Sequence, residues 1–337
     1  MTQPKIALDV MGGDQAPQAT LDGALASLSA ERERPLAAER IVLVGDLPAM
    51  EAHLADRGGN PGFELIASTD VIEMGESPGK ALRAKPGASI NLAVRAVREG
   101  RAGAVVSMGN TGACVGAATL GLGTLEGVRR PGIAVTLRLT GQPLTLIDMG
   151  ANIAPKAQHL LQYGVMGSVY MRDCLGVEDP RVGLLNVGEE PGKGTDLLKE
   201  TYPLLEEAPV RFVGNVEGGD LFAGACDVVV TDGFTGNVVL KLLEHFSGFL
   251  LGLVMGELKA HEATWGAESL AHVRRAIDYS SYGGALLLGV GGVTVIGHGR
   301  SDANAVANAL DLAARAMDAG VNAHIEQGMR ELTRADS

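Results

Sequence analysis

Apolar runs of four to six residues, rich in Val, Ile and Leu, alternate along this chain with longer stretches in which apolar positions recur at helical spacing. Ile6 to Val10, Ile41 to Val44, Phe63 to Ala67 and Ala104 to Ser107 read as strands, each followed by a turn and in most cases by a helix. Such βα alternation predicts an α/β fold. It breaks between Ile133 and Asp148, where Ala134 to Leu139, the turn Thr140-Gly141-Gln142 and Leu144 to Ile147 read as a hairpin, and a lobe boundary is expected near it. Strands resume at Val182 to Asn186, Arg211 to Val213 and Val228 to Thr231. A helical stretch from Glu268 to Ile277, strands at Leu286 to Val290 and Val293 to Ile296, and a final helix from about Asp302 complete the pattern.

One piece of the pattern occurs twice. Val105-Val106-Ser107-Met108-Gly109-Asn110-Thr111-Gly112 returns as Val229-Val230-Thr231-Asp232-Gly233-Phe234-Thr235-Gly236. Each copy is a strand, a hydroxyl-bearing glycine turn and an apolar helical stretch. Glycine lets backbone N–H groups converge, and a helix N-terminus adds partial positive charge, so such a loop favours an anion. Two copies predict two pseudo-equivalent lobes facing a shared cleft.

The length of 337 residues exceeds the size at which one core stops growing, so two domains are expected. A 46% hydrophobic content with 4% aromatics and 47 glycines fits a loop-rich enzyme rather than a disordered chain. The net charge of −12 without a basic stripe argues against nucleic acid. Cys114, Cys174 and Cys226 are too few and too far apart for a disulfide framework, which points to a reducing compartment. The expectation is a cytoplasmic protein: the first residues form no secretory apolar region, and no run approaches the roughly 18 apolar residues of a spanning helix.

The unusual residues gather in glycine loops at strand ends: Met11 to Asp14, Ser107 to Gly112, Asp148 to Asn152, Asn186 to Glu189 with Gly192-Lys193-Gly194, Gly214 to Gly218, Asp232 to Asn237, and His298 to Ser301. Ligands bind beyond the carboxyl ends of strands in open α/β sheets, so together these loops outline one site. A glycine after a strand is often only a turn; the joint chemistry is more specific. Asn, Thr, Ser, Lys and backbone donors suit phosphate, whereas no His/Cys/Asp spacing suits zinc and no dinucleotide or Walker pattern occurs. No metal and no cofactor is expected. Cys114 reads as a buried thiol rather than a nucleophile. His298 between two glycines, and Lys193 between two others, have little to pack against and read as functional. Arg83 and Lys85, ahead of a helix start, are placed to hold anions. The stretch Phe246 to Met255, with Trp265 beyond it, reads as a buried or dimer-interface helix, or as a tip touching lipid or an acyl chain.

These residues resemble the bacterial phosphate acyltransferases of phospholipid synthesis. The likeness runs from Ile6-Ala7-Leu8-Asp9-Val10-Met11-Gly12-Gly13-Asp14 through Ser107 to Ala113, Arg181 to Gly188, Asp227 to Val238 and Tyr282-Gly283-Gly284-Ala285 to the last helix. It implies an acyltransferase converting acyl-[acyl carrier protein] and inorganic phosphate to acyl phosphate and free carrier, feeding glycerol-phosphate acylation. The implied fold is two-lobed, similar to phosphotransacetylases and to isocitrate and isopropylmalate dehydrogenases, with the active-site cleft between lobes. The first lobe would be residues 1–140 with 300–337, the second 141–299. The resemblance further implies a homodimer, peripheral on a membrane surface, whose product a glycerol-phosphate acyltransferase uses. Between Met255 and Ile277, where that family is thought to approach lipid, this chain is shorter than some relatives. Where the phosphotransacetylases carry a Ser-Arg pair and an Asp, this chain holds Gly297, His298 and Asn304.

Catalytic groups are therefore expected among Asn110, Thr111, Lys193, Asp232, Asn237, His298 and Ser301, with His298 protonating the leaving sulfur. Phosphate and substrate contacts are expected from Gly12, Gly13, Asp14, Arg83, Lys85, Gly109, Gly112, Asn152, Asn215, Thr235, Gly236 and Asn304, and docking of the acidic carrier from Arg274 and Arg275. Short-chain phosphotransacetylase chemistry, NAD-dependent decarboxylating dehydrogenation on the same fold, and non-catalytic binding of a phosphorylated ligand are the alternatives.

Overall fold

A computed structural model describes residues 3–139, 141–260 and 283–335. The chain starts with strand β1 (Ile6–Asp9), helix α1 (Gln18–Ala26), β2 (Ile41–Gly45), α2 (Leu47–Asp56), β3 (Glu64–Ala67), α3 (Pro78–Ala84), α4 (Ser89–Arg98), β4 (Ala104–Ser107) and α5 (Thr111–Leu122). The hairpin β5 (Gly132–Leu137) and β6 (Leu144–Ile147) follows, then α6 (Ala157–Leu175), β7 (Arg181–Leu185), α7 (Asp196–Glu206), β8 (Arg211–Val216), the short α8 (Asp220–Ala223), β9 (Val228–Val230) and the long α9 (Gly233–Ala260). Beyond the undescribed segment come β10 (Ala285–Leu288), β11 (Val293–Ile296), α10 (Ala303–Asp318) and α11 (Val321–Ala335).

Two compact units result, Met1–Pro131 with Tyr282–Gln327 and Gly132–Ser281 with Gly328–Ser337. In the first, strands run β3-β2-β1-β4-β11-β10. All are parallel except β10, which pairs antiparallel with β11. In the second the order is β5-β6-β9-β7-β8, with only the β5–β6 hairpin antiparallel. Inner strands such as β2 (Ile41–Gly45) are buried along their whole length, which is why they read as unbroken apolar runs rather than alternating ones. Helix starts follow local rules: Asp46 Oδ1 accepts the Ala49 N–H at 2.8 Å with proline in the first turn of α2, and Asp302 Oδ1 accepts that of Ala305 at 2.9 Å.

The unit boundaries differ from the expected ones. The chain leaves the first unit at Pro131 because β5 pairs with β6, which is itself bonded to β9; it returns before β10 because β11 lies in register with β4, Val293 beside Ala104. The expected single last helix is two, broken at Gly320, whose φ of +65° suits glycine. The reading that no run is long enough to span a bilayer is corrected. Helix α9 begins at Gly233 rather than near Phe246, and Gly233–Glu257 is long and apolar enough by length and composition, with a mean hydropathy of 1.7 and 6% of its most apolar window buried. The expected helix at Glu268 to Ile277, Trp265, Arg274 and Arg275 lie outside the described residues.

Candidate active site

In the first unit three loops meet at the N-terminus of α5. Gly13, with φ of +107°, leaves room for the Gly299 carbonyl, which accepts the Asp14 N–H at 2.7 Å. A Cβ on Gly12 would stand 2.8 Å from the Gly109 nitrogen and 2.9 Å from Ser107 Oγ. The loops 11–14, 107–110 and 298–301 are thus interlocked at van der Waals distance. Ser107, at the end of β4, ties them further: its hydroxyl donates to Asp9 Oδ2 at 2.7 Å and accepts the Gly109 N–H at 3.1 Å. Asp9 is fully buried, and its Oδ1 has no hydrogen-bond partner. Burial pushes its carboxyl above the ordinary carboxylate range, against the lowering effect of the Ser89 and Ser107 hydroxyls.

Asn110 caps α5. Its Oδ1 accepts the Ala113 N–H at 3.1 Å while its amide donates to the carbonyls of Met74 (2.8 Å) and Glu76 (3.2 Å). The side chain is therefore fully engaged in positioning. The N–H groups of Thr111 and Gly112 accompany an exposed Thr111 hydroxyl in the first turn and carry no intrahelical bond, the arrangement that receives an anion. His298 is part-buried; its Nδ1 accepts the Arg300 N–H at 3.1 Å, which leaves Nε2 to carry a proton. Ser301 is buried, and Asn304 is exposed on the first turn of α10.

Two expected anion holders lie apart from this cluster. Lys85 Nζ pairs with Glu76 Oε2 at 2.6 Å and donates to the Val71 carbonyl at 2.7 Å, which fixes the 71–76 segment that Asn110 also holds. The guanidinium of Arg83 lines a separate groove between α4 and α5.

The second unit closes its loops on themselves. Asp148 is buried, and its Oδ1 accepts the N–H groups of Ile133 (3.0 Å), Gly150 (3.1 Å) and Ala151 (2.9 Å), while Oδ2 accepts that of Asn152 at 2.7 Å. The Asn152 amide donates to Tyr163 Oη at 2.8 Å and to Asp148 Oδ2 at 3.3 Å. Asp232 caps α9: Oδ1 accepts the N–H groups of Phe234 and Thr235, and Oδ2 accepts the Thr235 hydroxyl at 2.7 Å. The Gly233 N–H donates to the Asn152 carbonyl and that of Gly236 to the Asp232 carbonyl. This helix start has its first-turn N–H groups taken up and a carboxylate upon it. The two copies of the repeat therefore differ from the expected equivalent loops: Asp232 and the N–H groups of Thr235 and Gly236 are engaged within the turn itself.

Asn215 donates to the Glu190 carbonyl at 2.8 Å, and Asn186 to that of Lys193 at 3.1 Å, so both shape the 186–194 loop from within. Lys193 Nζ stays half-exposed, 3.8 Å from Glu190 Oε2, and the Asn237 amide is exposed beside Gly150. These two remain available to a ligand. Burial pushes the thiols of Cys114 and Cys226 up to about 12, in keeping with Cys114 as a small buried hydrophobe. Asp9 is a position the sequence reading left out of the site, and Ser107 and Asp148, though within its loops, were given no role of their own. Each is a polar residue at the carboxyl end of an apolar strand, where desolvation demands a partner, and that was the available signal.

Residues 4–324 match the family described as "Fatty acid synthesis protein". The chain is 44% identical over 330 residues to the phosphate acyltransferase of Heliobacterium modesticaldum, covering 96% of this chain and 97% of that one. It is 43% identical over 334 residues to that of Elusimicrobium minutum, covering 97% and 96%. Among solved structures it resembles a phosphotransacetylase from Streptococcus pyogenes, with a TM-score of 0.62, 16% identity and 94% of each chain covered. It also resembles a putative 4-hydroxythreonine-4-phosphate dehydrogenase from Salmonella typhimurium, with a TM-score of 0.54, 16% identity and coverage of 94% and 99%. The class is thus an α/β protein with the fold of the phosphotransacetylases. Within it, the chain belongs to the phosphate acyltransferase family of fatty acid and phospholipid synthesis, which makes it an acyl-transferring enzyme.

Proposed function

We propose that this enzyme transfers the acyl group of an acyl-[acyl carrier protein] to inorganic phosphate, yielding acyl phosphate and the free carrier thiol, and that its product supplies glycerol-phosphate acylation. The observation that carries the reading is the α5 start, where Gly12, Gly13 and Gly109 bring backbone against backbone and the N–H groups of Thr111 and Gly112 stay unbonded. Phosphate bound there would accept hydrogen bonds from the Thr111 and Gly112 N–H groups and the Thr111 hydroxyl. One phosphate oxygen attacks the thioester carbon, the C–O bond forms, and the C–S bond breaks as the tetrahedral oxyanion collapses. Phosphate monoesters have a second pKa of about 6, so by analogy the nucleophile is already largely dianionic near neutrality and needs no strong base. The His298 Nε2 proton goes to the departing sulfur. Lys193, half-exposed, and Asn237, exposed, are the further groups proposed to stabilise charge.

The shared fold with phosphotransacetylases supports the same chemistry on a shorter acyl chain. Mass spectrometry of the products from carrier thioesters of several lengths decides between them. Phosphate-dependent release of thiol with formation of acyl phosphate is the expected result; thiol release that ignores phosphate refutes the proposal.

A homodimer peripheral on a cytoplasmic membrane surface is also proposed. Phe234, Val238, Leu242, Phe246, Phe249 and Leu253 follow one another at intervals of three or four along α9 and are all exposed, a continuous apolar stripe of the kind a second copy or a lipid surface covers. Sedimentation alone and with anionic vesicles tests this.

A further inference from the structure

A groove of about 250 Å³ runs between α4 and α5 in the first unit. Its walls join Leu82, Val94 and the exposed Leu120, 80% accessible, to three arginines, Arg83, Arg95 and Arg98; no carboxylate lines it. The groove is built from small residues: a Cβ on Gly121 would collide with Val94 and one on Gly116 would stand 2.7 Å from Leu82 Cδ1. Asn91 fixes its floor by donating to the carbonyl of Lys85 at 2.9 Å. In a chain of net charge −12, Arg34, Arg40, Arg57, Arg101, Arg181 and Arg211 are each ion-paired, yet Arg83, Arg95 and Arg98 have no ion pair among the described residues. Arg83 and Arg98 sit in the last turns of α3 and α4, where a helix dipole favours a cation. The dipole does not explain why they and Arg95 converge on an apolar trough with an exposed leucine at its lip.

We infer that this groove is where the acyl carrier protein docks, an acidic face of the carrier lying on the three guanidinium groups while one of its apolar side chains enters beside Leu120. The inference rests on the reaction proposed above. Position supports it: α5 leads from the anion loop at Thr111 to Leu120, nine residues further and about 14 Å at 1.5 Å per residue, so a carrier held there keeps its thioester arm near the phosphate. Charges at the edge of an interface act chiefly on encounter and its salt dependence, and a central apolar anchor acts on residence.

The experiment compares wild type with Arg95→Glu/Arg98→Glu and, separately, Leu120→Asp, using acyl-[acyl carrier protein] and a small acyl-pantetheine thioester as substrates. For each variant KM for the carrier substrate should rise about tenfold or more, and for Arg95→Glu/Arg98→Glu it should also lose most of its salt dependence, while KM for phosphate and turnover of the small thioester stay within about twofold of wild type. Thermal unfolding checks that the variants fold. A carrier KM unchanged within twofold overturns the docking site. So does a variant whose carrier kinetics are normal but which no longer sediments with anionic phospholipid vesicles, because the groove is then a membrane contact. Wild-type enzyme that forms no acyl phosphate from the carrier substrate sinks the reaction itself, a different failure.

Discussion

Replacing Asp148 with alanine isolates the group that organises the second unit's loops. Its carboxylate accepts four backbone N–H groups, those of Ile133, Gly150, Ala151 and Asn152, at 3.0, 3.1, 2.9 and 2.7 Å. Ile133 is buried, so its orphaned N–H has no water to turn to and costs about 1–3 kcal/mol. The other three donors are part-buried, water replaces some of what they lose, and each contributes about 0.5–1 kcal/mol. Opposing this, removal of the side chain relieves the desolvation that pushes its carboxyl above the ordinary range. The sum is on the order of 3 kcal/mol, near the lower end for breaking a buried charged network. Asp148→Asn keeps the shape and one acceptor oxygen but turns an amide N–H₂ toward a donor, so a loss of about 1–2 kcal/mol is expected. Urea unfolding of the full chain, with the slope unchanged between variants, measures both. An alanine variant that loses less than about 1 kcal/mol would mean that water serves all four donors and that this carboxylate does not hold the loop.

Other consequences are as direct. Asn110→Ala and Lys193→Ala should each lower turnover by about 10²-fold in an acyl phosphate assay, and near-normal rates would remove the residue from the machinery. Asn110→Asp keeps the cap but sets a negative charge at the α5 start, so KM for phosphate should rise about tenfold, together with a loss of about 1–2 kcal/mol of stability because the new carboxylate faces the Met74 and Glu76 carbonyls; an unchanged KM would place phosphate elsewhere. Because the native state holds the proton of Asp9 more tightly than the unfolded chain does, the stability this group lends is present at low pH and declines as pH rises from about 4, the ordinary carboxylate value, through the raised one. Wild type should therefore lose stability relative to Asp9→Asn over that rise, and a pH-independent difference between the two would contradict the assignment. With its thiol at about 12, Cys114 should resist an aromatic disulfide reagent at pH 8 in the native enzyme, and Cys114→Ala should keep its turnover; rapid labelling would show a thiolate the structure does not predict.

The strands were legible because each sits between layers and reads as an unbroken apolar run; Ile41 to Val44 and Val228 to Thr231 could hardly be anything else. Helix extents were less so. Between Phe234 and Val254 the apolar positions carry no visible start, since Gly233 and Gly236 look like loop, yet Gly236 is there so that the first turn of α9 can lie against the Asp148 carbonyl. The break at Gly320 was marked by its glycine but masked by strong helix formers on both sides. The site was legible as a set of loops and not as a division of labour. Sequence displays a side chain's capacity to donate, whereas the structure decides whether a neighbour has already accepted. Lys85, Asn152, Asn215 and Asp232 all carry the right groups and direct them inward.

The repeat makes the point most sharply. Aligned residue by residue, Asn110 corresponds to Phe234 and Thr111 to Thr235, but α5 is capped from Asn110 and α9 from Asp232, two residues earlier in the repeat. Near-identical strand-and-glycine segments therefore start their helices in different registers. In the first copy the cap is a neutral amide that takes up the Ala113 N–H and leaves those of the exposed Thr111 and Gly112 unbonded; in the second it is a carboxylate that takes up the N–H groups of Phe234 and Thr235 and brings a negative charge of its own. A helix dipole of the same sign serves both, and the charge of one capping side chain decides which end welcomes an anion and which repels it. Electrostatics and the register of the cap together explain why the turn at Asp232 has its donors taken up while the one at Asn110 keeps the N–H groups of Thr111 and Gly112.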